Sequence, residues 1–167
     1  MVIGRNQKLL LLRYNEYRKY DFMKEHGEIL KKNGCVWLLK VGKPLPEKSM
    51  DSIMESGGWI VFRGPKARGG KFYIAHCREY FNGLPNEKMK YPQYYEEMID
   101  DEDTWFVDDL HGTWLCIDYL AEKTSEISKH LFLLSNQKSA IDVLNVTRSS
   151  VMYVFSDVDV QVGFVKE

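Results

Sequence analysis

The chain has 167 residues, of which 44% are hydrophobic and 28% charged, and its formal net charge is −1. These totals are typical of a soluble globular domain with a sizeable core. The chain contains no run of about 18 apolar residues, which excludes a transmembrane helix, so we expect no membrane partner.

Cysteine usage and the N-terminus indicate a cytoplasmic protein. The apolar run at residues 9–12 is too short for the core of a signal peptide, and no small-residue cleavage site follows it. Cys35, Cys77 and Cys116 form no Cys-x-x-Cys pair. An odd cysteine count without a framework is typical of reduced thiols.

The charges are divided unevenly along the chain. Residues 1–94 carry 18 Lys and Arg against 9 Asp and Glu, a net charge of +9, whereas residues 95–167 carry 5 against 15, a net charge of −10. Such asymmetry predicts a basic face for an anionic partner and an acidic face elsewhere. Alternatively, the two halves pair with each other in the fold.

The first predicted element is a helix over residues 6–33, which ends at Asn33-Gly34. Gly27 also allows two shorter helices with a break near Asp21 or Gly27. We therefore predict a helical extension at residues 1–34 before a domain at residues 35–167, the whole forming one compact domain. The helical pattern rests on apolar and tyrosine residues three or four apart: Leu10, Tyr14, Tyr17, Tyr20, Met23 and Leu30.

Strands dominate the middle of the chain. We predict strands at residues 35–41, 59–62 and 71–81, a helix at residues 47–56, and a hairpin loop at residues 64–70. The second half continues with predicted helices at residues 91–101 and 135–144 and predicted strands at residues 113–120, 131–134, 150–155 and 158–165. This order predicts a mixed α+β arrangement around a curved sheet.

This order resembles the PUA-like superfamily, especially its EVE and ASCH branches, over about residues 35–154. In that family a first strand bearing Trp precedes a helix, and two strands then carry apolar runs like Trp-Ile-Val-Phe at residues 59–62 and Lys-Phe-Tyr-Ile-Ala at residues 71–75. A later strand carries small hydroxyl residues, as at residues 149–153. The resemblance implies a curved, partly closed β-barrel with inserted helices, to which the N-terminal helix is an addition.

The resemblance also implies a cleft that binds RNA or a modified nucleobase. Unpaired bases stack on aromatic rings, and their edges need a few fixed donors and acceptors. Lys66 and Arg68, in the hairpin loop, are candidates for phosphate contacts. Carried over by position, the residues near the cleft are Trp37, Lys40, Trp59, Arg63, Tyr73, Ser149 and Ser150. Trp37 and Trp59 lie in apolar strands, so both could instead be core residues.

No catalytic, cofactor or metal site emerges from the sequence, because His, Cys and acidic residues follow no recognised spacing. Some ASCH proteins are hydrolases that use a Lys with a Thr and a Glu. Lys40 could serve as that Lys if it is buried, but no Thr and Glu stand at matching positions.

The sequence leaves two main hypotheses for function. The first is a non-catalytic module that binds nucleic acid, either RNA or modified DNA, and reads a modified or single-stranded base in an aromatic cleft. The second is a protein-interaction module, such as a small bacterial or phage inhibitor or accessory factor. It would act through its acidic second half, above all residues 96–109.

Overall fold

The computed structural model describes residues 1–99, 101–102 and 107–164. The strands are β1 (Val2–Ile3), β2 (Leu9–Arg13), β3 (Val36–Val41), β4 (Trp59–Arg63), β5 (Phe72–Gly83), β6 (Gly112–Lys123), β7 (Leu131–Leu133), β8 (Val151–Ser156) and β9 (Val160–Gln161). The α-helices are α1 (Phe22–Asn33), α2 (Glu47–Glu55), α3 (Tyr94–Glu97) and α4 (Ala140–Val146), and short 3₁₀ helices cover Lys66–Arg68 and Ser125–His130.

The prediction of a mixed α and β fold is confirmed, but its barrel is not. Seven strands form one sheet in the order β3-β6-β5-β4-β2-β8-β7, and β1 pairs with β9 separately. A barrel needs its first and last strands to pair with each other. In the described part of the chain β3 and β7 remain the two edges of the sheet, so the predicted partly closed barrel is corrected to an open sheet.

Contacts along the chain divide it into two units. The first unit comprises residues 1–14, 52–76 and 119–167, and the second comprises residues 15–51 and 77–118. Residues 1–34, predicted as one helical extension, are shared between the units, with residues 1–14 in the first and residues 15–34 in the second.

The predicted N-terminal helix is wrong for its first half, where residues 9–13 form β2 instead. β2 lies between β4, to which it is parallel, and β8, to which it is antiparallel. All four leucines of this strand are buried. A strand that is covered on both faces is a continuous apolar run rather than an alternating one. The tyrosines that follow it have helical spacing, so the sequence pattern extends the predicted helix back over this strand.

The core of the first unit lies on one face of these strands. Every second residue points to it, so Leu9 and Leu11 of β2 pack with Trp59 and Val61 of β4. The other core residues on this face include Phe72, Ile74, Met152, Val154 and, from α4, Ala140 and Leu144.

In the second unit, α1 begins and ends with capping contacts. The Asp21 side chain accepts a hydrogen bond from the Lys24 backbone N–H at 3.1 Å. At the other end Gly34 adopts a left-handed conformation, with φ of 78°, and its N–H bonds to the Leu30 carbonyl. The predicted stop at Asn33-Gly34 is confirmed.

A fully buried histidine holds α1 to its neighbours within the second unit. The His26 Nδ1–H donates to the Phe22 carbonyl at 2.7 Å, and its Nε2 accepts from the Tyr95 hydroxyl. That hydroxyl in turn accepts from the Leu39 backbone N–H at 3.3 Å. Burial lowers the pKa of His26 to about 4, so the ring is neutral at neutral pH.

The remaining boundaries follow the predictions, with three corrections. The predicted helix at residues 91–101 shortens to α3, and the helix predicted from residue 135 begins only at Ala140, after Ser139. The predicted last strand, residues 158–165, shortens to β9, and Val165 lies outside the described residues. The other predicted strands and the helix after residue 46 are confirmed.

Candidate functional site

The strand register separates the residues predicted to line one cleft. In the antiparallel pair of β4 and β5, Phe62 is opposite Tyr73 and Arg63 is opposite Phe72. Directly opposed residues share a face of the sheet, and successive residues alternate. Arg63 therefore points to one face and Tyr73 to the other, so the two cannot line a single hollow.

Trp59 belongs to the core of the first unit, which corrects its prediction as a ligand-binding residue. Its side chain is only 3% exposed. Three rings surround it, those of His76, Tyr119 and Phe164, with centroids 5.0, 6.2 and 5.9 Å away. A base could stack on this indole only if the core opened.

Trp37 and Lys40 lie on β3, in the second unit, three positions apart along the strand. They therefore point to opposite faces. Trp37 is half-buried against the second unit's core, whereas the Lys40 ammonium lies 3.4 Å from the Lys43 carbonyl. Burial lowers the pKa of Lys40, as the hydrolase hypothesis required, but that hypothesis remains an untested prediction.

Two arginines stand side by side at the carboxyl ends of parallel strands in the first unit. Arg13 ends β2, Arg63 ends β4, and the two are paired in register, so their side chains leave the same face. Arg63 was a predicted site residue. Arg13 was missed because it fell inside the predicted helix, although a cation directly after four buried leucines was the available signal.

This arginine pair has no carboxylate partner within the described part of the chain. There, no carboxylate lies within ion-pair distance of either guanidinium, and the buried Nε of Arg63 has no hydrogen-bond partner. Burial, and next the charge of Arg13, lower the pKa of Arg63. An anion placed here would relieve both effects.

The Arg63 side chain is held in place from two sides. Its guanidinium carbon lies 5.3 Å from the centroid of the Phe72 ring, a cation–π contact. On another side is the turn at Gly70, where a Cβ would come within 2.7 Å of an Arg63 Nη atom. A side chain already fixed this way loses little conformational entropy when it binds a ligand.

The predicted phosphate-binding residues lie in the same turn between β4 and β5. Lys66 and Arg68 are exposed and flank one turn of 3₁₀ helix. The turn is closed by the Gly64 N–H, which donates to the Lys71 carbonyl at 2.8 Å. Arg13, Arg63, Lys66 and Arg68 are called the basic end of the first unit below.

Ser149 and Ser150, the predicted far wall of the cleft, are exposed and precede β8. The Ser150 carbonyl accepts from the Arg13 backbone N–H at 2.9 Å, which joins this segment to the end of β2. Ser149 lines a groove of about 510 Å³ together with residues of β7, α4 and β8, among them Leu133, Val143, Thr147, Met152 and Tyr153. Sequence reasoning found Ser149 but missed the groove.

The acidic segment at residues 96–109 is predicted as a protein-binding surface. Its Asp109 carboxylate accepts a hydrogen bond from the His111 backbone N–H at 3.0 Å, and three more of its described carboxylates have side-chain partners within the second unit. They are Glu96 with Tyr91, Glu97 with Tyr20, and Asp101 with Arg18, at 2.6, 2.5 and 2.7 Å. Asp108 and Asp109 are exposed, whereas Asp100, Asp103 and Trp105 lie outside the described residues. A role in protein binding stays a prediction.

The second unit also contains a cavity of about 690 Å³ that the sequence did not suggest. Tyr17, Arg18, Tyr20 and Asp101 are among its lining residues. Tyr20 stacks on the ring of Tyr94 at a centroid distance of 4.7 Å. Arg18 and Asp101 pair with each other in this cavity, whereas Arg13 and Arg63 of the first unit have no carboxylate partner among the described residues.

Two further observations concern metal binding and membrane-spanning helices. Among them, no three His, Cys, Asp or Glu side chains are placed to hold a metal ion. None of the helices in the described ranges has the length and apolar character needed to cross a bilayer.

Comparison with known proteins adds no relative. No family model matches the chain, no curated protein matches its sequence, and no solved structure matches it. The resemblance to PUA-like domains therefore stays a prediction.

Proposed function

We propose that the protein is a nucleic-acid-binding module whose basic end in the first unit holds the phosphates of a single strand of RNA or DNA. One observation carries this proposal: Arg13 and Arg63 project side by side, without a carboxylate partner among the described residues. Like charges placed together destabilise a fold, so such an arrangement is typical of a site for an anion.

The chemistry of the site favours phosphate. A guanidinium presents several N–H donors in a fixed fork that matches phosphate oxygens, and no carboxylate occupies that of Arg63 in the described part of the chain. Lys66 and Arg68, exposed in the adjoining turn, add charges for neighbouring phosphates. Several phosphate contacts in a row are what distinguish a nucleic-acid backbone from a single small anion.

Fluorescence anisotropy with a labelled single-stranded oligonucleotide tests this proposal. Arg63→Gln and Lys66→Gln each remove one charge from the basic end, and each is expected to weaken binding several-fold at moderate salt, with a larger loss when the two are combined. RNA and DNA strands of the same sequence, compared in parallel, show whether the 2′-hydroxyl contributes.

Lys129→Gln is the matched control. Lys129 also lies in the first unit, is exposed and carries the same charge, but it pairs with Glu126 at 2.9 Å. Its replacement should leave the affinity unchanged. If the three single variants bind equally well, or if the wild-type protein binds no oligonucleotide, the proposal fails.

A further inference from the structure

The groove beside the basic end has the character of a site for a flat, mostly apolar ligand with polar edges. It encloses about 510 Å³, which is within the range of small-ligand sites. Leu133, Val143 and Met152 form its apolar surface. Tyr153 follows Met152 on β8, so its ring points to the other face of the sheet.

Hydroxyl groups surround this apolar surface. The hydroxyls of Thr147 and Ser149 donate to the Val143 and Val151 carbonyls at 2.8 and 2.9 Å, so their oxygens remain able to accept. Ser135 carries a hydroxyl that has no hydrogen-bond partner among the described residues. The groove therefore offers both donors and acceptors at its margin.

Arg13 fixes one wall of the groove. Its guanidinium donates to the carbonyls of Leu144 and Thr147, the latter at 3.1 Å, which are the free carbonyls at the C-terminal end of α4. The same segment then passes through Arg148, which is exposed, to Ser149. Cations thus border the groove on the side that faces the basic end.

The distance between Arg63 and the groove allows a single nucleic-acid strand to contact both. Arg63 lies on β4 and Ser150 precedes β8, and these strands flank β2 on its two sides. Two interstrand spacings of about 4.8 Å bring the arginine within roughly 10 Å of the groove. A phosphate at Arg63 and a base in the groove can therefore belong to neighbouring nucleotides.

We infer that this groove receives one unpaired nucleobase, which packs on Leu133, Val143 and Met152, while the adjoining phosphates bind the basic end. This inference rests on the proposed function and deepens it, because it names an unpaired base as part of the ligand. The occupant follows from charge complementarity: an apolar, hydroxyl-edged groove beside cations fits a base attached to a phosphate backbone.

The test compares a short single-stranded DNA with an abasic strand of the same length and charge, both read by fluorescence anisotropy. Wild-type protein should bind the strand with bases several-fold more tightly, because the abasic strand has no base to bury against the apolar side chains of the groove. Ser149→Phe, an exposed substitution that fills the groove, should make the two strands bind equally, at the affinity of the abasic strand. Ser125→Phe, at an exposed position elsewhere in the first unit, should retain the preference.

The outcomes separate this inference from the proposed function. If wild-type protein binds both strands equally and Arg63→Gln weakens both, the groove takes no base, although the basic end still binds phosphates. The same conclusion follows if Ser149→Phe keeps the full preference for bases. If neither strand binds, both the groove inference and the proposed function are overturned.

Discussion

The two units of this chain use their charged residues in opposite ways. The first unit carries 12 Lys and Arg against 7 Asp and Glu, a formal net charge of +5, whereas the second carries 11 against 17, a net charge of −6. In the first, the arginines at the ends of β2 and β4 have no carboxylate partner among the described residues. In the second, three carboxylates of the acidic segment bond to tyrosines and an arginine.

This difference teaches that uncompensated charge is more informative than net charge. A cation paired with a carboxylate, such as Arg18 with Asp101, contributes to structure and gains little from a further anion. Arg63, half-buried beside Arg13, gains more, because an anion offsets both desolvation and repulsion.

The two tryptophans predicted for the cleft should differ in their effect on stability. Trp59→Ala removes a buried indole from the core of the first unit and should lower the free energy of unfolding by about 3–5 kcal/mol. Trp37→Ala, at a half-buried position in the second unit, should cost clearly less. Urea denaturation of both variants measures the difference, and equal losses would contradict the assignment of Trp59 alone to a closed core.

Acid should destabilise the second unit through His26. Its ordinary pKa is about 6.5, and burial lowers that pKa to about 4 in the folded protein. Between those pH values the unfolded chain binds more protons than the folded one, so the stability present above about pH 6.5 falls as the pH drops to about 4. The integrated loss is roughly 3 kcal/mol.

Urea denaturation at pH 7, 5.5 and 4 measures this loss. His26→Leu removes the titrating ring, so its free energy of unfolding should depend less on pH over the same range. If wild-type and His26→Leu proteins lose the same stability as the pH falls, protonation of His26 does not cause the loss and other groups govern it.

Arg13→Met should separate the structural role of this residue from the charge of the basic end. The substitution removes two hydrogen bonds from a charged donor to the C-terminal carbonyls of α4, at a cost of about 1–3 kcal/mol. Hydrogen exchange at residues 144–149 should speed up, and the preference for strands with bases over abasic strands should shrink. Unchanged exchange in that segment would show that Arg13 does not hold the wall of the groove.

Gly70→Ala should give the smallest effect. Gly70 has a φ of 59°, which costs an L-residue about 1 kcal/mol, and the new Cβ would displace the end of the Arg63 side chain. We expect a small fall in the urea midpoint and a few-fold weaker affinity for oligonucleotides in anisotropy. Gly69→Ala is the control: Gly69 has a similar φ of 90° but open space around it, so affinity should be unchanged.

Much of the fold could be predicted from local pattern, because the strands of the middle region are apolar, aromatic-rich runs bounded by glycines. Residues 9–13 could not, since a short apolar run fits a buried strand and a helix equally well. Trp37 and Lys40, predicted near one cleft, have an odd spacing on β3, and the alternation of a strand places them on opposite faces. The groove could not be predicted, because β7, α4 and β8 each contribute residues to it and these segments meet only in the folded chain.

The salt dependence of oligonucleotide binding tests the central claim most directly. If the basic end holds phosphates, the logarithm of the binding constant of the wild-type protein falls linearly with the logarithm of salt concentration, by about 0.7 per phosphate contact, and Arg63→Gln makes that slope shallower by roughly one contact. A binding constant that does not change with salt, or an unchanged slope in Arg63→Gln, would contradict the account.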